Sequence, residues 1–508
     1  MDISLQKEDY RYLDKTFETS LEECVEAELS LPEYMPEILR IIKSVAIPKI
    51  NSCRCVGERV TVDGVCELRM IYTAEDGCIY SFSQSRNFTR YCENQCFADA
   101  DDVNVKAGVN YVNCRAVSPK RAEIKAGVSL CVFAYSGVCE KITSLGEQCS
   151  VEEKCIPISV MSLGCCNSRN FSMSETVEIE DGSASFLISS SASAVVTETK
   201  KIGNKIMIKG DSTVEISYVP CEDKRVVSHI SHTLPINQIL EFDGMNERFS
   251  GDVVLDVYAC DVVIKNDSSG DGRAFDIALS INASVKMWEQ KDYFVITDAY
   301  SVEGGVDLTR EKLLYYTSTD EIHDNYNFKE NIDLSKIGVL SILDMTSESG
   351  DSVAECKENT VNISGSLKLS FLLRDTAGEI VTLDKMVDYK YSKTLNGEYS
   401  DGVCVCHVSV NSLDCTLNGS SQAEVRAQLG IICTVFEKNE TEVVSDITEN
   451  PDIKRETLSA VTVYFPENEE SLWNIARRYN TTVSAIADEN ELEGETTGNR
   501  RVLFIPSM

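Results

Sequence analysis

Long apolar runs are missing from this sequence. It has no stretch of about 18 apolar residues, which is the length that a membrane-spanning helix requires. Residues Met1–Lys15 also lack the apolar core and the small-residue cleavage pattern of an export signal. We therefore expect a protein without a membrane span that stays in the cytoplasm where it is made.

Basic residues are few relative to acidic ones. The chain has 48 Lys and Arg against 82 Asp and Glu, a formal net charge of −34. Nucleic acids and anionic membranes bind clustered Lys and Arg, so this charge argues against general binding to either. The excess acid indicates either an ordinary soluble surface or an acidic face that attracts a basic partner.

Catalytic motifs are also missing. The four histidines are His229, His232, His323 and His407. His229 and His232 are three residues apart in a region with strand-like alternation, where that spacing places two side chains on opposite faces. There is no Gly-x-Ser-x-Gly elbow and no Gly-x4-Gly-Lys phosphate loop. We predict a protein that is not an enzyme and that needs no cofactor.

Cysteine, by contrast, is abundant, with 21 residues. Without an export signal, a disulfide framework is not expected. Cys92 and Cys96 have the spacing of a zinc half-site, but no matching second half-site follows. We predict no metal site, and reduced thiols packed as small apolar side chains within strands.

A long repeat dominates the organisation of the chain. Three segments each contain an alternating apolar run, a glycine and a second alternating run: Val60–Tyr72, Ile206–Val219 and Val361–Leu373. Their glycines, Gly64, Gly210 and Gly365, are 146 and 155 residues apart, about one domain each. Alternation with period two predicts half-buried strands, and a glycine within a strand predicts a bulge or a sharp bend.

The repeat predicts a mainly β chain with three tandem β-sandwich or barrel-like domains. The entry to the first domain, Leu31–Pro48, fits either a short helix or a strand. The predicted division of the chain is an N-terminal extension at 1–30, β domains at 31–170, 171–307 and 308–448, a linker at 449–459 and a small module at 460–508.

The C-terminal module has a different pattern. Val461–Pro466 reads as a strand, and Leu472, Ile475, Ala476 and Tyr479 then form one apolar face of a short helix. A second apolar stripe begins at Val483, and Arg501–Pro506 reads as a closing strand. The predicted order is strand, helix, helix, strand.

This module resembles the LysM family. The resemblance rests on fifteen residues in order: Val463, Pro466, Leu472, Trp473, Ile475, Ala476, Tyr479, Thr482, Val483, Ile486, Asn490, Leu492, Val502, Ile505 and Pro506. LysM modules usually bind N-acetylglucosamine polymers such as peptidoglycan, in a groove between two loops. Here those loops correspond to Glu467–Ser471 and Glu491–Asn499.

The three β repeats resemble the SPOCS domain, a β-rich unit of clostridial spore coat proteins. The entry residues Leu31, Pro32, Pro36 and Ile38 carry this resemblance, together with Val62, Gly64 and Tyr72. The second repeat lacks a clear Pro-x-Ile entry. Three such repeats followed by a LysM module resemble the SipL family. That resemblance implies a non-enzymatic coat assembly scaffold in the mother-cell cytoplasm at the forespore surface. Its implied partners are a SpoIVA-like coat morphogenetic ATPase, other coat proteins and further copies of itself.

Two kinds of site are therefore expected in the module. The helical period places Trp473 off the apolar stripe with Arg477 one turn further on, which predicts a partner-binding patch. The patch residues are Trp473, Asn474, Arg477 and Arg478. The alternative is a glycan site formed by Glu467, Asn468, Glu469, Glu470, Ser471, Asn490, Leu492 and Glu493. The loop Pro466–Ser471 lacks glycine and carries three glutamates, which favours the protein-binding interpretation.

Overall fold

The protein is described by a computed structural model, which covers residues 5–146, 151–180, 182–265, 272–397, 399, 401–452 and 461–506. The predicted mainly β fold is confirmed. The described residues form twenty β-strands and two α-helices of eight and seven residues. Neither helix is long and apolar enough to cross a membrane. Of the predicted linker, residues 453–459 lie outside the described ranges.

Eighteen strands form three units of six. The first unit contains β1 (Leu5–Ser30), β2 (Arg40–Val56), β3 (Arg59–Thr73), β4 (Ile79–Glu93), β5 (Asp102–Ser118) and β6 (Arg121–Leu145). The second contains β7 (Val151–Glu178), β8 (Ala184–Ile202), β9 (Lys205–Pro220), β10 (Ser228–Glu241), β11 (Ser250–Lys265) and β12 (Ala274–Ser301). The third contains β13 (Gly305–Asp333), β14 (Val339–Lys357), β15 (Thr360–Asp375), β16 (Ile380–Thr394), β17 (Asp401–Asn418) and β18 (Gln422–Asn450).

All three units have the same strand order. One sheet places the third strand of the unit between the second and the fourth, and the other places the sixth between the first and the fifth. Alternate apolar residues of β3 and β6 pack against each other in the first unit, and β9 with β12 and β15 with β18 do the same in the others. Each unit is therefore a β-sandwich. In the third unit β14 also pairs with β17, which joins the two sheets.

The unit borders differ from the predicted division. Residues 5–30, predicted as part of an extension, form β1, which pairs along its whole length with β6. The predicted borders at 170/171 and 307/308 fall inside β7 and β13. The first strand of every unit is a long edge strand whose alternation is interrupted by charged residues. It joins its unit through pairing with the last strand of that unit, which is distant in sequence. The entry segment forms β2 from Arg40 onward, which settles the choice between helix and strand.

The repeated glycines lie opposite bulges, in agreement with the sequence. Gly64, Gly210 and Gly365 pair with Ile50, Val196 and Ser352, and each of those partners borders a register shift in the neighbouring strand. There is no room for a Cβ at these glycines. A Cβ on Gly210 would lie 2.2 Å from the carbonyl oxygen of Val195, and one on Gly365 would lie 2.4 Å from the Tyr389 hydroxyl. The glycine permits the close strand approach that the bulge creates.

Gly210→Ala is therefore expected to lower the free energy of unfolding by about 3 kcal/mol, because backbone must move to admit the methyl group. Urea unfolding followed by circular dichroism measures this. Gly108→Ala is the matched control, since its Cβ would approach only the Ser129 hydroxyl, at 3.1 Å. Equal losses in the two variants would contradict the close-approach explanation.

The three units meet in shared apolar clusters. The first and last strands of each unit extend beyond its sandwich as a two-stranded ribbon. The ribbons pack together through apolar residues drawn from all three: Tyr10, Ile142, Ile158, Val160, Tyr293, Val295, Leu313 and Val443. The sandwiches meet in another apolar cluster that contains Ile71 and Ile79 of the first unit, Ile188 and Val219 of the second, and Leu343, Leu372 and Ile380 of the third. The three units thus pack against one another as one closed assembly and are not separate tandem domains joined by linkers.

The C-terminal module has the predicted order of strand, helix, helix, strand, which fits a LysM module. Its elements are β19 (Val461–Tyr464), α1 (Leu472–Tyr479), α2 (Val483–Glu489) and β20 (Leu503–Pro506). Helix α1 ends at Tyr479, and the following residue, Asn480, is a left-handed C-cap with a φ of 54°. Helix α2 begins after Thr482, whose hydroxyl accepts a hydrogen bond from the amide of Ala485 at 3.0 Å.

Candidate partner-binding site

The predicted patch on α1 contacts another part of the same chain. The indole Nε1 of Trp473 donates a hydrogen bond to Asp298 Oδ2 at 2.9 Å, and Arg477 donates to the same oxygen at 2.8 Å. The indole also packs edge-on against Tyr300, with 4.8 Å between ring centroids. The outward-facing indole expected from the helical period is therefore half-buried, because the end of β12 covers it.

Tyr300 anchors this contact. It is only 4% exposed, and its hydroxyl donates a hydrogen bond to the carbonyl oxygen of Thr481 at 2.8 Å. Tyr300 belongs to the same buried apolar cluster as Leu472 and Ile475, and Val302 packs against that cluster. The module is therefore docked on the end of the second unit through a shared core as well as through the Asp298 carboxylate.

The other two patch residues are not part of this contact. Asn474 is exposed. Arg478 donates a hydrogen bond to the Tyr464 hydroxyl at 3.0 Å and lies 3.8 Å from Glu470 Oε1, so it binds within the module itself. The structure thus divides the predicted patch into two residues held by the second unit, one exposed amide and one arginine that braces β19.

The module has a second candidate surface, on the outward face of β19 and β20, which the sequence analysis did not predict. Strands β19 and β20 bury one face on the helices through Leu503 and Ile505, while the opposite face is apolar and exposed. That outward face consists of Val461, Val463, Phe465, Val502 and Phe504, which are between 38% and 71% exposed. We call these five residues the open sheet face. Val463 and Phe504 are direct cross-strand partners at its centre.

Exposed apolar side chains that are contiguous, and not merely scattered, mark interaction surfaces on soluble proteins. The signal for this surface was present in the sequence. Both strands carry apolar residues at consecutive positions, as in Val463–Phe465 and Val502–Ile505, so both faces of a two-stranded sheet must be apolar. Arg500 and Arg501 are exposed just before Val502 and give one border of this face a positive charge.

The two loops of the predicted glycan groove are tied to each other. The amide of Glu469 donates to the carbonyl oxygen of Gly498 at 3.1 Å, and the amide of Thr497 donates to that of Glu470 at 2.8 Å. The Thr497 hydroxyl is buried and bonds to the same loop. Backbone groups that could contact a sugar are therefore used between the loops.

Side chains of the predicted glycan site have several different environments. Asn490 is 7% exposed, and its amide bonds to Ile486 and to both backbone groups of Phe504, so it joins α2 to β20. Glu470 accepts hydrogen bonds from the Tyr464 hydroxyl and the Glu467 amide. Leu492 packs against the module core, and Ser471 precedes α1 without a side-chain cap. The exposed members are Glu467, Asn468, Glu469 and Glu493.

Comparison with protein families confirms the two resemblances. A family model described as "SipL, SPOCS domain" matches residues 37–117 and 186–265, and a model described as "LysM domain" matches residues 467–496. A third SPOCS segment is not among these matches. Searches of curated proteins and of solved structures give no significant match.

These matches agree with the strand map. The two SPOCS segments cover β2–β5 and β8–β11, which are equivalent parts of the first two units. Both domain families are non-catalytic. The chain therefore carries the domains of a sporulation-associated protein, with a C-terminal module of the peptidoglycan-binding type.

Proposed function

We propose that this protein is a non-enzymatic scaffold of spore coat assembly that docks on a SpoIVA-like coat morphogenetic ATPase. Docking would take place in the mother-cell cytoplasm at the forespore surface. The open sheet face is the observation that carries this proposal. Five apolar side chains of the LysM-like module are exposed to water on this face. A protein partner that covered them would remove this apolar surface from water, which favours binding.

The partner surface expected here is apolar at its centre and acidic at one border. The apolar centre matches Val463 and Phe504, and the acidic border matches Arg500 and Arg501. The helix patch of Trp473, Asn474, Arg477 and Arg478 is proposed as a second contact area. Trp473 and Arg477 can reach a partner only after their bonds to Asp298 open, so the second unit competes with the partner for them.

The remainder of the chain is proposed to act as one rigid acidic platform for other coat proteins or further copies of this chain. The third unit, β13–β18, is proposed as a third SPOCS domain because it repeats the strand order of the two matched units. The net charge of −34 favours basic partners for this platform.

Peptidoglycan binding is the alternative function, and the LysM match is the observation that favours it. Against it stand the direct hydrogen bonds between the two loops and the use of Asn490 within the module. A sugar polymer would have to separate those loops or bind at their exposed acidic rim.

The full-length chain should be tested in parallel for binding to the purified ATPase and to purified peptidoglycan. We expect saturable binding to the ATPase and retention on peptidoglycan no greater than that of an unrelated acidic protein. A tagged copy should gather around the forespore, and removal of residues 461–508 should disperse it. Retention on peptidoglycan without ATPase binding would replace the proposed function by the alternative.

A further inference from the structure

A polar chamber lies where the three units meet. Its volume is about 120 Å³, and its walls come from the beginnings of the equivalent strands β5, β11 and β17, together with β6, β12 and β18. Asn104, Val254 and Val405 are examples of the wall residues that these three equivalent strands contribute. Every unit of the closed assembly therefore contributes to a single cavity.

Charges of both signs line this chamber. The basic side chains are Lys106, Lys286 and His407, and the acidic ones are Asp102, Asp252 and Asp256. Burial lowers the pKa of Lys286 and raises the pKa of Asp102, since in both cases removal from water disfavours the charged form. The charged forms of Lys286 and Asp102 are therefore poorly hydrated inside the chamber.

Two buried groups of the chamber, the Lys286 ammonium and the Oδ2 oxygen of Asp252, have no ion-pair or hydrogen-bond partner among the residues that the structure describes. Lys286 Nζ lies over the ring of Tyr135, 4.1 Å from its centroid, and has no carboxylate oxygen within 4 Å among the residues that the structure describes. Asp252 Oδ1 lies 3.0 Å from His323 Nε2, but its buried Oδ2 has no hydrogen-bond partner among those residues. A buried polar group without a hydrogen-bond partner destabilises the folded chain.

Lys286 and Asp252 are neighbours on the same face of the sheet. They are direct cross-strand partners of β12 and β11, so their side chains leave the same face with Cβ atoms about 5 Å apart. They still form no ion pair, and both line the chamber. The Lys286 ammonium and the Asp252 carboxylate therefore lie side by side on one wall of the chamber, and the space in front of them can hold a ligand.

We propose that the chamber binds a small zwitterion, an amino acid about the size of glycine or alanine. Its carboxylate would accept hydrogen bonds from Lys286, and its ammonium group would donate to Asp252 Oδ2. A cavity of about 150 Å³ holds benzene with its six heavy atoms. The chamber volume therefore corresponds to about five heavy atoms, the number in glycine and one fewer than in alanine. A simple anion would meet three aspartates and a simple cation two lysines, whereas a zwitterion satisfies both unmatched groups.

Thermal unfolding of the full-length chain tests the proposal, with glycine, alanine, acetate and methylammonium as probes at constant ionic strength. We expect glycine or alanine to raise the melting temperature saturably by at least about 3 °C, because a ligand that binds only the folded state stabilises it. Acetate and methylammonium should each change the melting temperature by less than about 1 °C. No rise with either amino acid, or an equal rise with acetate or methylammonium, would overturn the proposal.

Two variants assign the effect to the chamber. Lys286→Met keeps most of the side-chain volume, and Asp252→Asn keeps the shape, so both should fold and both should lose the glycine or alanine response. Lys265→Met, on an exposed lysine of β11 that pairs with Asp276, should keep the response and serves as the control. A full response in Lys286→Met would show that the amino acid binds elsewhere. Calorimetry of the wild-type chain should give one site per chain.

Discussion

Val463→Glu is expected to weaken binding of the full-length chain to the coat morphogenetic ATPase by about 30-fold or more, corresponding to ~2 kcal/mol. Val463 lies at the centre of the open sheet face, directly opposite Phe504. A carboxylate at the centre of an apolar interface would lose its water without gaining a partner, which is among the most costly changes that an interface can undergo. Surface plasmon resonance with immobilised ATPase gives the dissociation constants.

The module itself should remain folded in this variant. Val463 is 53% exposed, and the core beneath the sheet is made by Leu503 and Ile505 from the other face of the neighbouring strand. Unchanged near-ultraviolet circular dichroism and an unchanged melting temperature would document the fold. A loss of binding could then be assigned to the surface alone.

Val263→Glu provides the matched control. Val263 is 64% exposed on β11 of the second unit, so the same substitution adds the same charge to a strand far from the C-terminal module. Binding by this variant should equal that of the wild type. If Val463→Glu bound as tightly as Val263→Glu, the open sheet face would be excluded as the docking surface.

Local patterns predicted the building blocks of this protein. Alternation around Gly64, Gly210 and Gly365 identified three β units because strand periodicity and the space at a glycine are properties of a short segment. The βααβ module was predictable for the same reason, since its helices bury stripes such as Leu472 and Ile475 at helical spacing.

The arrangement of those blocks could not be predicted in this way. The ribbons meet around residues such as Tyr10, Tyr293 and Leu313, which are far apart in sequence and belong to different units. The unmatched pair of Lys286 and Asp252 becomes visible only when the register of β11 and β12 is known. The expected chain of separate domains is therefore replaced by a closed assembly with a polar centre.

The helix patch shows the same limit at a single residue. Helical spacing predicted Trp473 beside the apolar stripe of α1, and the structure has the indole half-buried against the cluster that contains this stripe. Its hydrogen-bond partner, Asp298, is 175 residues earlier in the chain, and no local pattern marks that aspartate. A tryptophan that needs a partner beyond its own helix was predictable, whereas the identity of the partner was not.

Asp298→Ala is expected to loosen the C-terminal module from the second unit. The carboxylate accepts hydrogen bonds from Trp473 and Arg477 at Oδ2 and from Arg310 of β13 at Oδ1. The first two hold the module, and a hydrogen bond to a charged group contributes about 1.5–3 kcal/mol. The chain has two tryptophans, and the other one, Trp288, is only 4% exposed. A red shift of the fluorescence and stronger acrylamide quenching should therefore report exposure of Trp473. Asp292→Ala, at an exposed position of β12, should leave both signals unchanged.

The same substitution separates two roles of the helix patch when it is compared with Trp473→Ala. If the patch also binds the ATPase, Asp298→Ala should tighten binding by removing a competitor, and Trp473→Ala should weaken it by about tenfold or more. If Trp473 serves only to hold the module on β12, both variants should change ATPase affinity in the same direction, because both free the module. Equal affinities in the wild type and both variants would confine docking to the open sheet face, where the indole plays no part.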